Sequence, residues 1–200
     1  MYANMGDMMH ALHFSASDKA ALYREVLPQI ESVVADEADW VANLANTAAV
    51  LKEAFGWLWV GFYFVDTRSD ELVLAPFQGP LACTRIPFGR GVCGQAWAKG
   101  ETVVVKDVNA HPDHIACSSL SRSEIVVPLF SDGRCIGVLD ADSEHLAQFD
   151  EADALYLGEL AKILERRFEA SSQAALDWQN GRASRAEVGA AVVWFYNACH

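Results

Sequence analysis

The chain has 200 residues, 52% of them hydrophobic, and sets 15 basic against 27 acidic side chains for a formal net charge of −12. That is enough for one ordinary domain with a full core, and the acidic balance argues against nucleic acid or an anionic membrane as a partner, since both call for a basic face. No apolar run is long enough to span a bilayer and the opening MYANMGDMMHALHF lacks the basic start and apolar stretch of a signal peptide, so the five cysteines are expected in a reducing, cytoplasmic compartment.

Residues 17–35 show helical periodicity, with Leu22, Val26, Ile30 and Val33 on one stripe and Ser17 as the expected N-cap. Residues 38–55 repeat the pattern through Trp40, Leu44, Ala48, Leu51 and Phe55, and Gly56 ends it. WLWVGFYFV (57–65) is aromatic and β-branched and reads as a strand buried on both faces. DTRSD is a turn that returns ELVLAPF (71–77) as a hairpin. A short strand holding Cys83 is expected after Gly79-Pro80. A loop then enters a short helix around Cys93, and TVVV (102–105) is a further strand. The stretch 106–122 has neither period; a long irregular connection inside a domain is usually functional or disordered, and this one carries Cys117. Strands follow at 124–130 and 134–142, and an amphipathic helix over 150–169 closes the domain with Leu155, Leu160, Ile163, Leu164 and Phe168. Helices, then antiparallel hairpins, then a closing helix make an α+β fold with helices packed on one sheet.

The chemistry concentrates in about 60 residues of this plan, where Cys83, Cys93 and Cys117 meet Glu124, Asp140 and Asp142. Thiols and carboxyls together suit nucleophilic or redox sulfur chemistry assisted by proton transfer. Asp140 and Asp142 stand two apart on a strand and leave it on one face. Two acids in an otherwise apolar strand rarely both stay ionised, so at least one is expected neutral near pH 7, poised to donate a proton. Cys135, inside RCIGVL, reads as an ordinary core residue. Trp57, Trp59, Gly61 and Tyr63 are expected on one face of the first strand, with Gly61 leaving space between the rings. Backbone N–H groups near Ile115, Ala116 and Cys117 suit an anion.

The two acidic strands also constrain their hairpin. A two-residue Asp132-Gly133 turn pairs 131 with 134 and, carried down the ladder, turns Glu124 away from Asp140 and Asp142. A three-residue loop with Gly133 as a bulge pairs 130 with 134 and sets Glu124 opposite Asp140. The expectation is the second register, another in which the paired positions have an even sum, or a compensating bulge that restores the same facing.

APFQGPLACTRIPFGRGVCG, HIAC, SEIVVPL and IGVLDADS, in that order, resemble the free methionine-(R)-sulfoxide reductases of the GAF domain family. The likeness covers about residues 20–170. It implies one GAF-like domain with a central, mostly antiparallel six-stranded sheet, here set at 17–170 between an N-terminal segment 1–16 and a C-terminal extension 171–200. It implies reduction of the R epimer of free methionine sulfoxide, without a cofactor or metal, recycled by a thioredoxin-type reductant. Carried over residue by residue, Cys117 is the nucleophile, Cys83 the main resolving thiol and Cys93 a second or relay thiol. Glu124 and Asp142 contact the sulfoxide and Asp140 holds the ammonium. Trp59 and Tyr63 wall the methyl group, and the amides near Ile115 and Ala116 take the carboxylate. Homodimerisation is left open. The rival from another class is a GAF sensor that binds a small ligand without chemistry, since fold alone does not fix function. A metal held by His111, His114 and Cys117 ranks lowest, because that spacing suits a helix and a Pro interrupts it.

Overall fold

The computed structural model describes residues 12–112, 115 and 118–179, with side chains described through residue 170. Two helices come first, α1 (Lys19–Ala35) and α2 (Trp40–Phe55). The N-cap of α1 is Asp18, whose carboxylate accepts from the Ala21 N–H, and not Ser17 one residue earlier. Its buried stripe is Tyr23, Val26, Leu27, Ile30 and Val34, so Leu22 and Val33 lie at the margin. Asp39 caps α2 and Gly56, left-handed at φ 65°, ends it.

Six strands follow: β1 (Trp59–Asp66), β2 (Glu71–Gln78), β3 (Arg85–Pro87), β4 (Val103–Val105), β5 (Ser123–Ser131) and β6 (Arg134–Ser143). They form one sheet in the order β3-β2-β1-β6-β5-β4, and its five pairings are all antiparallel. β3 and β4 are therefore opposite edges. The chain between them must cross a face of the sheet, and helix α3 (Gly91–Lys99) makes that crossing. Cys83 lies two residues ahead of β3, in the segment that leads to it, and not inside a strand.

The last helix, α4 (Glu151–Gln179), packs on the same face as α1 and α2. Its buried apolar residues are Leu157, Leu160, Ala161 and Leu164; Leu155 faces out, 59% exposed. Tyr23, Trp40, Leu44, Leu51, Phe62 and Leu139 are among the fully buried side chains of this helix-covered core. Trp57 belongs here too. It precedes β1, stacks on Phe55 at 4.6 Å, and does not share the face of Trp59 and Tyr63. Among the described residues no helix is long and apolar enough to cross a membrane.

Candidate active site

Period-two alternation on three neighbouring strands decides which side chains meet. Val60, Phe62 and Phe64 of β1, Ile125, Val127 and Leu129 of β5, and Leu139 and Ala141 of β6 face the helices. The alternate residues Trp59, Tyr63, Val126 and Val138 face the other way, where they join Ile86, Val92 and Cys93 in a second apolar cluster. Glu124, Asp140 and Asp142 fall in step with Val126 and Val138. Three carboxyls therefore leave the sheet on the α3 side and line one cavity with Trp59, Tyr63, Cys93, Ile115 and Ser121.

The hairpin achieves this by the compensating route. Its turn is the two-residue one: Asp132 (φ 48°) and Gly133 (φ 72°) are both left-handed, and Ser131 pairs with Arg134. A two-residue turn with both central residues left-handed has a twist that matches that of the flanking strands. Between Leu129 and Phe130 the register then shifts, so that Phe130 pairs with Cys135 but Leu129 with Gly137. The bulge moves every later pair by one and returns Glu124 to the face of the two aspartates. Glu124 stands opposite Asp142, and Val126 opposite Asp140. The three-residue loop, and the pairing of Glu124 with Asp140, are thereby corrected.

The aromatic wall is tightly built. Trp59 stacks on Phe77 at 5.3 Å and against Tyr63 at 5.9 Å between ring centroids. Gly61 does not open space for a ligand as expected. A Cβ there would meet Phe77 Cβ at 2.3 Å and Trp59 Cη2 at 2.7 Å, so the glycine admits Phe77 against the strand. Gly79, at φ 140°, passes close over Trp59; a Cβ would lie 2.7 Å from its ring. This close approach carries the chain into Pro80, Leu81 and Ala82, which supply another wall of the cavity. The Tyr63 hydroxyl donates to the Cys83 carbonyl oxygen at 3.0 Å. Tyr63 thus anchors the cysteine segment as well as lining the cavity.

Electrostatics follow from burial. Glu124 and Asp140 are each 6% exposed. Desolvation pushes both carboxyls well above their ordinary range, and charge on Asp142 adds to the shift in each. Asp142 is pushed up to about 6 by burial, against the opposing pull of the Ser121 hydroxyl that donates to its Oδ1. The Cys93 thiol, whose Sγ lies 3.9 Å from Glu124 Oε1, is also driven well up, first by burial and then by Asp140 and Glu124. Asp140 Oδ1 is buried without a hydrogen-bond partner. Among the described residues lining the cavity there is no Lys, Arg or His. Such a site favours the protonated form of its carboxyls more than solvent does and has room in its charge balance for a cation.

Of the residues singled out from sequence, Trp59, Tyr63, Cys93, Ile115, Glu124, Asp140 and Asp142 meet at this cavity. Cys83 sits at its border, packed against the same apolar cluster, and is disulfide-bonded. Cys93 and Cys135 are free thiols, and half-buried Cys135 donates its S–H to the Gly137 carbonyl at 3.3 Å. Ala116 and Cys117 lie outside the described residues, as does His114 of the metal alternative. Ser121 escaped sequence reading. It lies in the aperiodic 106–122 stretch, where no pattern says which serine turns inward. What turns it is the hydrogen bonding of its neighbour: Arg122 N–H donates to the Ser143 carbonyl at 2.7 Å, and the Arg122 carbonyl accepts from Val108 N–H at 3.0 Å.

Comparison with known proteins agrees with this architecture. The GAF domain pattern matches residues 34–166. The chain is 56% identical over 158 residues to GAF domain-containing protein A of Dictyostelium discoideum, covering 79% of this chain and 99% of that protein. It is 42% identical over 150 residues to the free methionine-R-sulfoxide reductase of Escherichia coli, covering 74% and 90%. Among solved structures, the free methionine-R-sulfoxide reductase of Neisseria meningitidis in complex with its substrate is 94% identical, with a TM-score of 0.82 over 83% of this chain and 99% of that one. The chain belongs to the GAF domain family and, within it, to the free methionine-R-sulfoxide reductases.

Proposed function

We propose that this chain reduces free methionine-R-sulfoxide to methionine in the Glu124–Asp140–Asp142 cavity, by cysteine chemistry recycled by a cytoplasmic thioredoxin-type dithiol. The activity is supported by relatives of that name, including the 94% identical one bound to its substrate. The observation that carries the assignment to this cavity is the orphaned Asp140 Oδ1 among buried acids, with no basic group beside them among the described residues lining the cavity. An amino acid's ammonium fits that position. Its charge meets an acceptor that otherwise goes unpaired.

The proposed steps balance. Cys117 attacks the sulfoxide sulfur while its oxygen takes a proton from Glu124 or Asp142, and that oxygen passes to the thiol sulfur. Methionine leaves and Cys117 becomes a sulfenic acid. The Cys83 thiol displaces that oxygen as water and forms a disulfide with Cys117, which the external dithiol reduces by exchange. Cys93, neutral and 3% exposed, is a second thiol that joins by exchange inside the cavity and not from solvent. Trp59 and Tyr63 hold the methyl group, and the amides around Ile115 and Ala116 take the carboxylate.

The test is coupled turnover: NADPH oxidation with thioredoxin and its reductase, followed against methionine formed. Wild-type enzyme should consume one NADPH per methionine. Cys117→Ser should abolish turnover, and Cys83→Ser should release about one methionine per chain before stalling. Steady-state activity in Cys117→Ser would refute the assignment of the nucleophile.

A further inference from the structure

The cavity places a thiol and two carboxylates at one point, and an ammonium recognised by carboxylates makes no use of that sulfur. Ligand atoms of Cys93, Glu124 and Asp140 lie within 4.8 Å of one another, and all three residues are buried. We propose that these three side chains form a binding site for a soft divalent cation, Zn2+ in the first place, whose occupation shuts the cavity reversibly.

Geometry, rigidity and donor set all support this. A tetrahedral zinc with arms of about 2.3 Å to sulfur and about 2.0–2.2 Å to oxygen spaces its ligands roughly 3.5 Å apart. Cys93 Sγ and Glu124 Oε1 stand 3.9 Å apart, so a side-chain movement of a few tenths of an ångström closes that edge. The ligands sit on firm supports. Cys93 is in the first turn of α3, and Glu124 and Asp140 are on the paired strands β5 and β6. Independently of the cluster, Asp140 Oδ1 is a buried acceptor with no partner, which a cation would satisfy. Sulfur with two carboxylates selects zinc-like ions, because hard cations such as Mg2+ and Ca2+ prefer oxygen alone. Three protein ligands leave a fourth position open toward the cavity. Binding involves no redox step: the metal–sulfur bond forms as the Cys93 proton leaves to solvent, with any protons on the two carboxyls.

Inhibition rests on the proposed function, since the metal takes acids assigned to the substrate; binding itself does not. The test therefore reads the metal directly. The full chain is used in its oxidised form, with the Cys83–Cys117 disulfide of the proposed mechanism formed and with Cys135 and the remaining cysteine of the sequence, Cys199, replaced by serine, so that Cys93 is the thiol left. Cd2+ is titrated and its thiolate charge-transfer absorption followed, with Zn2+ and Mg2+ titrated in parallel by calorimetry. The expected result is one Cd2+ or Zn2+ per chain, no Mg2+, loss of the band in Cys93→Ser, and affinity at least about tenfold lower in Asp140→Asn. Should Cys93→Ser fold poorly, Asp140→Asn decides, because it leaves the sulfur in place. Zn2+ bound with undiminished affinity by Cys93→Ser in the calorimeter, or an affinity unchanged in Asp140→Asn, overturns the site. Added methionine sulfoxide separates the two readings. Displacement of Cd2+ supports both, whereas Cd2+ held in place beside bound substrate upholds the metal site and removes Asp140 from substrate recognition.

Discussion

Two buried acids on opposite sides of the sheet are treated very differently. Asp153, in the first turn of α4, is 1% exposed and fully engaged. It accepts from Lys19 Nζ at 2.5 Å, the Tyr23 hydroxyl at 2.8 Å and the Asp150 N–H at 2.8 Å, and so ties α1 to α4. Asp140, 6% exposed on the α3 side, has one oxygen without a partner and two acidic neighbours. Burial is similar, and only the partners differ. A buried acid given its cation within the chain serves stability, and one left short of a cation is prepared for a ligand.

Exchanging each acid for its amide sharpens that contrast. Asp140→Asn should lower kcat/KM for free methionine sulfoxide by over about a hundredfold, the equivalent of 3 kcal/mol, with thermal stability kept or raised. Loss of stability on the scale of a broken ion pair would mean that Asp140 is structural. Asp153→Asn should do the opposite. Urea unfolding should show a loss of about 2–3 kcal/mol, below the range for a fully buried pair because Lys19 is 28% exposed. Its kcat/KM per folded molecule should be unchanged.

The acids of the cavity should also set the pH dependence of stability. Asp142 rises from 3.8 to about 6 on folding, because burial favours the protonated form. Its contribution is fully present below pH 3.8 and is lost as pH rises through about 6. Asp142→Asn should therefore be more stable than wild type at pH 7.5, by on the order of 3 kcal/mol. That gain should vanish near pH 4, measured in EDTA. A gain that grew toward acid would reverse the sign of the account. The smallest effect belongs to Ser121→Ala. Removing the hydroxyl that holds Asp142 Oδ1 should move the pH profile of kcat/KM upward by less than about one unit, with a few-fold loss of rate. Ser121→Thr should restore the profile, and an unmoved profile would leave Ser121 a mere packing residue.

Much of this was legible because period two leaves little freedom. Residues 124, 140 and 142 had to share a face once β5 and β6 were paired in a suitable register. The register itself was harder to read. Asp132-Gly133 takes the tight left-handed turn, and a bulge near Ile136 then restores the facing, a local choice that alternation cannot reveal. Gly61 looked like room for a ligand because β1 alone does not show Phe77 arriving from β2. Ser121 was hidden for a related reason: its orientation depends on hydrogen bonds to β6 and to residue 108, distant in sequence. In α1 the buried stripe keeps Val26 and Ile30 but takes Tyr23 and Val34 in place of Leu22 and Val33; Tyr23 buries its ring while its hydroxyl reaches Asp153, a partner distant in sequence.

The central claim is that the acids left short of a cation recognise the substrate's own ammonium. In N-acetylmethionine-R-sulfoxide the sulfur chemistry is intact but that charge is gone, leaving a buried acid unpaired at about 3–5 kcal/mol. The direct measurement is the ratio of kcat/KM for free over N-acetylated methionine-R-sulfoxide, with wild-type enzyme and the same reductant. The account predicts a preference of over about a hundredfold for the free amino acid, collapsing in Asp140→Asn. Comparable efficiencies on the two substrates would contradict it, even with the cysteine chemistry intact.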